Sequence, residues 1–302
     1  MPTDTTIEFG QYTASIASVG ASLRQLTHRG RDLVVPFELG GVRPAYRGAT
    51  LAPWPNRIVD GEYDFLGDHF QLEISEPERH HALHGLVAWA DFSVRSTTSS
   101  SVTLSTSIAP QTGYPHSVDV EVTYLVDEGG LHETVRGRNV GETAAPFGFG
   151  PHPYLVAGPG RVDDWMLWLR ADSVLAVDDR LAPLALVPVD DPAHGDFDYR
   201  RPRILGAKFI DHAFTDLEFT AGHTGIELTG ADGRGVGMTW DERCRWVQIH
   251  TADSPAQDLD RLGLAVEPMT CPPDAFNSGI DLLVLEPRET TTASWTIRSI
   301  GP

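Results

Sequence analysis

The sequence predicts an all-β protein, most simply a large antiparallel sandwich of two sheets. Three observations lead there. Apolar residues recur with a period of two in run after run, the pattern of half-buried strands. No stretch longer than about ten residues keeps a clean 3.6-residue stripe. The 29 glycines and 22 prolines are spread through the 302 residues instead of marking one linker, as expected where many short strands are separated by turns.

Taken in order, Ile7 and Phe9, Ile16 to Val19, and Leu33 to Phe37 form short β-like runs broken by glycine. Glu62 to Ile74 reads as a hairpin, with Tyr63 and Phe65 on one arm and Phe70, Leu72 and Ile74 on the other, around Leu66-Gly67-Asp68. Phe92 to Ile108 repeats the pattern with Ser/Thr-rich arms. Val118, Val120, Val122 and Tyr124 alternate again before Gly129-Gly130 turns the chain. Trp165 to Leu186 carries two further runs, and Ile226 to Ile249 forms a hairpin around Ala231 to Gly235. Leu282 to Leu285 and Trp295 to Ile300 close the chain as an expected last pair. There is no clear short-period repeat. Asp190 to Arg203 is the best boundary candidate, but similar strands flank it and it reads as a surface loop. One domain over residues 1–302 follows, since all-β domains commonly reach this size as one unit.

Composition narrows the function. A hydrophobic fraction of 41% and a charged fraction of 22% are those of a soluble globular chain. No apolar run approaches the roughly 20 residues that cross a bilayer, and the start, Met1 to Thr6, has neither the basic nor the apolar segment of a secretory leader. Two cysteines, Cys244 and Cys271, make no disulfide framework and fit a reduced, cytoplasmic setting. A net charge of −19 excludes the basic footprint that nucleic acid requires. It also disfavours anionic small molecules unless a local basic pocket intervenes.

Five segments break the alternating pattern with polar residues set among prolines, glycines and aromatics. Glu267 follows the apolar run Leu262 to Val266 and precedes Pro268, Pro272 and Pro273. Proline fixes φ and removes a backbone donor, so the strand is expected to stop there, leaving Glu267 on a stiff strand-to-loop rim. Ala52-Pro53-Trp54-Pro55-Asn56-Arg57-Ile58 places an amide and a guanidinium on a rigid loop, and the five donors of arginine suit sugar hydroxyls or a carboxylate. His80-His81-Ala82-Leu83-His84 gathers three histidines in five residues, but no carboxylate follows at metal-ligand spacing, so no metal is expected. Phe147 to Leu155 brackets His152 with Pro151 and Pro153 in an aromatic, glycine-rich run. Phe209-Ile210-Asp211-His212-Ala213-Phe214 sets an acid between apolar residues.

In this order, Asn56-Arg57-Ile58, Leu83-His84-Gly85, His152-Pro153-Tyr154, Asp211 to Phe214 and Glu267-Pro268 resemble the aldose 1-epimerases (galactose mutarotases). The resemblance runs from about Ile7 to Ile297, and Leu285-Glu286-Pro287-Arg288-Glu289 is similar to that family's final strand entry. It implies the family's large β-sandwich with an open sugar cleft, a small-molecule sugar substrate, no cofactor, no membrane, and a monomer or homodimer. By the same resemblance Glu267 is the general base and His152 the general acid. Asn56, Arg57, His84 and Asp211 then fall at substrate-binding positions. Pro151-His152-Pro153-Tyr154-Leu155 stands where the best-known galactose mutarotases read Asn-His-Ser-Tyr-Phe, which points to a bacterial side branch and leaves the sugar preference open.

Interconverting α and β anomers requires removing the C1 hydroxyl proton and protonating the ring oxygen, then reversing both steps on the other face. A carboxylate and an imidazole serve, and nothing metallic or redox is needed. Other readings remain at this point. An epimerase of a phosphorylated or sulfonated hexose would need basic residues in the cleft, with Arg200-Arg201-Pro202-Arg203 and Arg243-Cys244-Arg245 as candidates. A glycoside hydrolase would use paired carboxylates, Asp211 and Glu267, and leave His152 without a task. A non-catalytic sugar-binding protein would have no need of Glu267.

Overall fold

A computed structural model describes residues 3–301; Met1 and Pro2, which belong to the leader reading, and Pro302 lie outside the described residues. The fold is all-β and antiparallel, as the period-two pattern requires. A nine-stranded sheet runs in the order Ser93–Thr97, Ser101–Ile108, Val118–Asp127, Gly130–Asn139, Thr290–Ile300, Gly235–Asp241, His223–Thr229, Met166–Leu169, Arg203–Ile204. A six-stranded sheet follows the order Tyr154–Leu155, Leu264–Met269, Trp246–His250, Asp211–Leu217, Ala171–Val177, Pro183–Pro188. A four-stranded sheet holds Asp4–Phe9, Tyr12–Ala17, Ser22–His28 and Arg31–Asp32.

One continuous apolar core joins these sheets. Val120, Val122, Val135, Trp240 and Trp295 come from the nine-stranded sheet, and Val174, Phe214, Val247, Ile249, Leu264 and Val266 from the six-stranded one. Alternation then dictates the other face of the six-stranded sheet. With Leu264 and Val266 pointing into the core, Ala265 and Glu267 must face away from it. No helix among the described residues is long and apolar enough to cross a membrane.

Several sequence expectations are corrected. The strand carrying Glu267 does not stop at Pro268 but continues through Leu264–Met269, with Pro268 opposite Val247. Proline is tolerated because of where its missing donor would point. Val266 N donates to Pro153 O and Thr270 N to Phe149 O, so the donor absent at Pro268 lies on that same side, away from the Trp246–His250 ladder. Glu267 is accordingly no rim residue: it is 2% exposed, inside a strand.

Leu33 to Phe37 is no regular strand, since Pro36 interrupts it after an isolated bridge between Val34 and Leu155. Ser22–His28 is a strand the pattern hid, because a register shift between Ser15 and Ile16 disturbs the alternation. Trp165 to Leu186 holds parts of three strands, Met166–Leu169, Ala171–Val177 and Pro183–Pro188. The closing pair is not a pair. Leu283–Leu285 joins Ala145–Phe147, while Thr290–Ile300 lies between Gly130–Asn139 and Gly235–Asp241.

Candidate active site

The outward face of the six-stranded sheet floors a cleft of about 270 Å³. Register sets its chemistry. Glu267 lies directly opposite Gln248; in the next row Ala265 faces His250, which faces Asp211, while Tyr154 also faces Ala265. A carboxylate, an amide, an imidazole, a second carboxylate and a phenol therefore share one face, spaced by strand geometry alone.

The remaining side chains arrive on loops held by small pairings. Gly150–Pro151 pairs with Thr50–Leu51, and Pro153 restricts His152 to an extended backbone. His152 O accepts from Gly48 N at 2.7 Å. The imidazole is thereby set beside Glu267, with Nε2 3.4 Å from Oε1. Arg57–Val59 pairs with His81–Leu83, which brings Asn56 and Arg57 next to His84: His84 N donates to Asn56 O at 2.8 Å. Asn56 and His84 both adopt left-handed backbone, φ 55° and 63°, a conformation uncommon outside glycine that is held here by the surrounding pairings.

All six residues singled out from the sequence, Asn56, Arg57, His84, His152, Asp211 and Glu267, line this one cleft. The three-histidine run, by contrast, does not act together. Only His84 reaches the cleft; His80 is exposed beside Asp60, and His81 is buried with Nε2 against Arg180 O. The Nδ1/Nε2 and carboxylate atoms of His84, His152 and Glu267 lie within 4.8 Å of one another, so these are the residues able to hold a divalent ion.

Sequence reasoning missed several cleft residues. Glu76 grips Arg57 with both oxygens, Nε–Oε2 at 2.8 Å and Nη2–Oε1 at 3.0 Å, and also accepts from Arg79 at 2.9 Å. Gln248 Nε2 donates to Asp211 Oδ1 at 2.6 Å. Tyr46, Tyr154, Phe209, His250 and Asp253 complete the walls. Tyr154 and Phe209 stood inside runs already marked as irregular, whereas Glu76 and His250 are recognisable only once strand register is known.

Burial governs the protonation of these groups. It pushes the Glu267 carboxyl well above its ordinary value, with the charge of Asp211 adding to the effect and Arg57 opposing it. The same burial, helped by the charges of His250 and Arg43, brings the His152 imidazole down to about 3. His84 is lowered by burial, then by His152 and Arg57. At Asp211 burial acts upward, but His250, Arg57 and the Gln248 hydrogen bond outweigh it and keep the carboxylate below its usual range. Burial likewise opposes the Arg57 charge, and the Glu76 hydrogen bond overcomes it.

A family model described as aldose 1-epimerase matches residues 4–298. The uncharacterized protein YihR of Escherichia coli K12 is 40% identical over 282 residues, which cover 92% of this chain and 87% of YihR. Among solved structures, the GalM/aldose epimerase homologue from C. elegans superposes with a TM-score of 0.86 over 100% of both chains at 20% identity. A galactose 1-epimerase from Lactobacillus acidophilus superposes with a TM-score of 0.81 over 99% of this chain and 95% of its own at 17% identity. At such identities the two structures share the galactose mutarotase-like sandwich, the fold expected from the sequence.

Proposed function

The chain belongs to the aldose 1-epimerase family, and from that premise we propose that it interconverts the α and β anomers of a free, neutral hexose by acid–base ring opening and closure. The observation carrying this reading is the contact between Glu267 and His152. Both are buried on the floor of an open cleft, 3.4 Å apart, and Glu267 Oε2 and His152 Nδ1 have no protein partner among the described residues. Glu267 takes the proton from the C1 hydroxyl while His152 protonates the ring oxygen. The C1–C2 bond turns in the open-chain aldehyde, and the two transfers run backward to close the other face. C1 carries both oxygens involved, so acid and base must be neighbours, and these are. The pair needs one proton between them. Burial holds it on Glu267 in the empty cleft, and sugar hydroxyls bonding to the carboxylate favour its passage to His152.

Arg57, Asp211, His84 and Asn56 orient the ring. Arg57 Nη1 has no protein acceptor among the described residues, and Asn56 Oδ1 accepts from Arg57 N, leaving its NH₂ group for the cleft. The charge of the cleft supports a neutral sugar. Glu76, Asp211 and Asp253 line it against Arg57 and Arg79, and both arginines already bond Glu76. The basic clusters that an anionic sugar would require are elsewhere. Arg200 is bound by Asp172, Asp190 and Asp198, Arg203 by Asp196, and neither these nor Arg243 and Arg245 line the cleft.

The test is NMR anomer exchange on glucose and galactose beside glucose 6-phosphate. Neutral sugars should exchange faster, with little dependence on ionic strength, and Glu267→Gln should lower the rate by at least about a hundredfold with the fold retained. Near-native exchange in Glu267→Gln defeats the acid–base assignment. Faster, salt-sensitive turnover of the phosphosugar moves the substrate to the anionic class.

A further inference from the structure

We propose that His84, His152 and Glu267 form a zinc site on the floor of the cleft, and that zinc bound there is a reversible inhibitor competing with the sugar. The metal site stands on the geometry of the three side chains; the competition rests on the function proposed above for the cleft.

The three residues arrive on separate elements. His84 follows the pairing of Arg57–Val59 with His81–Leu83, His152 lies between Gly150–Pro151 and Tyr154–Leu155, and Glu267 is inside Leu264–Met269. Their ligand atoms nevertheless converge within 4.8 Å of one another. Zinc bonds of about 2.0–2.1 Å, arranged as a tetrahedron, set neighbouring ligand atoms roughly 3.4 Å apart. His152 Nε2 and Glu267 Oε1 already stand at 3.4 Å. The His84 ring lies edge to face with that of His152, 4.9 Å between centroids. Its Nδ1 has no protein partner among the described residues, so no hydrogen bond at that atom resists a turn of the ring toward the other two ligands.

The donor set selects the ion. Two imidazoles and one carboxylate suit zinc, whereas calcium and magnesium take oxygen ligands. Three protein ligands leave the fourth position open to the cleft. Asp211 and Asp253 line the approach, in a chain of net charge −19, and Arg57 is already bonded by Glu76, so the local charge favours entry of a dication. What the site lacks is an outer shell. Ligating histidines ordinarily donate the second ring N–H to a carboxylate or carbonyl, but Nδ1 of both His84 and His152 is without a partner among the described residues. Such a loss costs roughly 10–100-fold in metal affinity, so the site fits an ion that exchanges with its surroundings better than a resident cofactor. Bound zinc displaces the proton the pair shares, which passes to solvent. It then occupies the carboxylate and imidazole atoms that the C1 hydroxyl and the ring oxygen must meet.

The experiment begins with protein treated with EDTA and dialysed, then titrated calorimetrically with zinc chloride, alongside glucose anomer exchange. Wild type should bind one zinc per chain in the micromolar range. Zinc should raise KM for glucose with kcat unchanged, and EDTA should restore the rate. His84→Ala should weaken zinc binding at least about tenfold, while His80→Ala, an exposed histidine outside the cleft, should alter neither zinc binding nor exchange. Cobalt(II) in wild type supplies a readout that needs no variant: intense visible bands of a four-coordinate ion, lost on adding glucose. Absence of zinc binding overturns the site, as does binding that survives His84→Ala or cobalt bands indifferent to glucose. Activation of the EDTA-treated protein by zinc overturns the inhibitory role. Zinc bound at these residues in a protein that exchanges no anomers defeats the proposed reaction alone, and exchange in a protein that binds no zinc defeats this inference alone.

Discussion

Arg57 has five N–H donors, and its neighbours decide where they point. Glu76 takes the Nε edge in a bidentate pair, Asp211 Oδ2 stands 3.5 Å from Nη2, and the remaining Nη1 edge is left for substrate. Glu76 is thus a positioning residue that sets the plane of the guanidinium. Glu76→Gln should raise KM roughly tenfold and lower kcat much less, because the acid–base pair is untouched; an equal fall in kcat with constant KM would assign Glu76 to the reaction itself. The pair has its own signature in pH. Unperturbed carboxyl and imidazole groups, at roughly 4.3 and 6.5, would confine activity to a narrow bell between those values. Here burial lowers His152 to about 3 and raises Glu267 well above its ordinary value. The second proton is gained only near the lower limit, which removes the base, and the last is lost only above the raised one, which removes the acid. kcat/KM should therefore stay flat from just above pH 3 through the ordinary carboxylate range and fall on the alkaline side. A narrow bell flanked by ordinary values would contradict the burial argument.

At the scale of elements, the site depends on how closely the loop of His152 approaches the strand of Glu267. Gly150 marks the approach: a Cβ there would stand 2.6 Å from the Pro268 carbonyl oxygen. Gly150→Ala must push one backbone from the other, at roughly 1–3 kcal/mol for overpacking of this kind. It should lower both the melting temperature and the exchange rate, whereas Gly158→Ala, with nothing within 4 Å of its Cβ, should change neither. Retained exchange in a destabilised Gly150→Ala protein would show that the acid–base spacing tolerates the shift. The same element shows where the sequence was legible. Glu267, His152, Asp211, Asn56, Arg57 and His84 stood out because each interrupts a strand pattern beside proline, glycine or aromatic residues, and such interruptions mark places where backbone is held for a purpose. Pro268 misled because proline within a strand normally ends it, and only the register shows that its missing donor points away from the Trp246–His250 ladder. Glu76 and His250 carried no local signal. They join the site through the loop beside His81–Leu83 and through the ladder opposite Ala265, relations that a linear pattern does not contain.

For the whole molecule, charge and core meet at Glu133. The chain carries a net charge of −19, so self-repulsion grows as pH rises and works against the compact state. Glu133 adds a second alkaline-sensitive contribution, this time from inside the core. It lies in Gly130–Asn139 of the nine-stranded sheet, directly opposite Trp295, 3% exposed, with Oε2 accepting from Trp295 Nε1 at 2.8 Å and Oε1 unpartnered. Burial pushes its carboxyl up to about 8, against the smaller downward pull of the Trp295 hydrogen bond and the nearby Tyr124 hydroxyl. The sign of the consequence follows from linkage. Below the ordinary carboxylate range, folded and unfolded chains both hold this proton and stability is indifferent to pH. Between that range and about pH 8 only the folded chain holds it, so stability falls as pH rises; above that neither holds it and the contribution is flat. Repulsion alone would give a slope distributed over every ionising group, so the variant is needed to separate the two. Glu133→Gln keeps an oxygen acceptor for Trp295 and removes the titration. Denaturant unfolding from pH 5 to pH 9 should show wild type losing stability relative to Glu133→Gln up to about pH 8, and a constant difference beyond it. Parallel curves across the whole interval would mean that Glu133 ionises in the folded protein as it does in the unfolded one, and would assign the entire alkaline slope to surface charge.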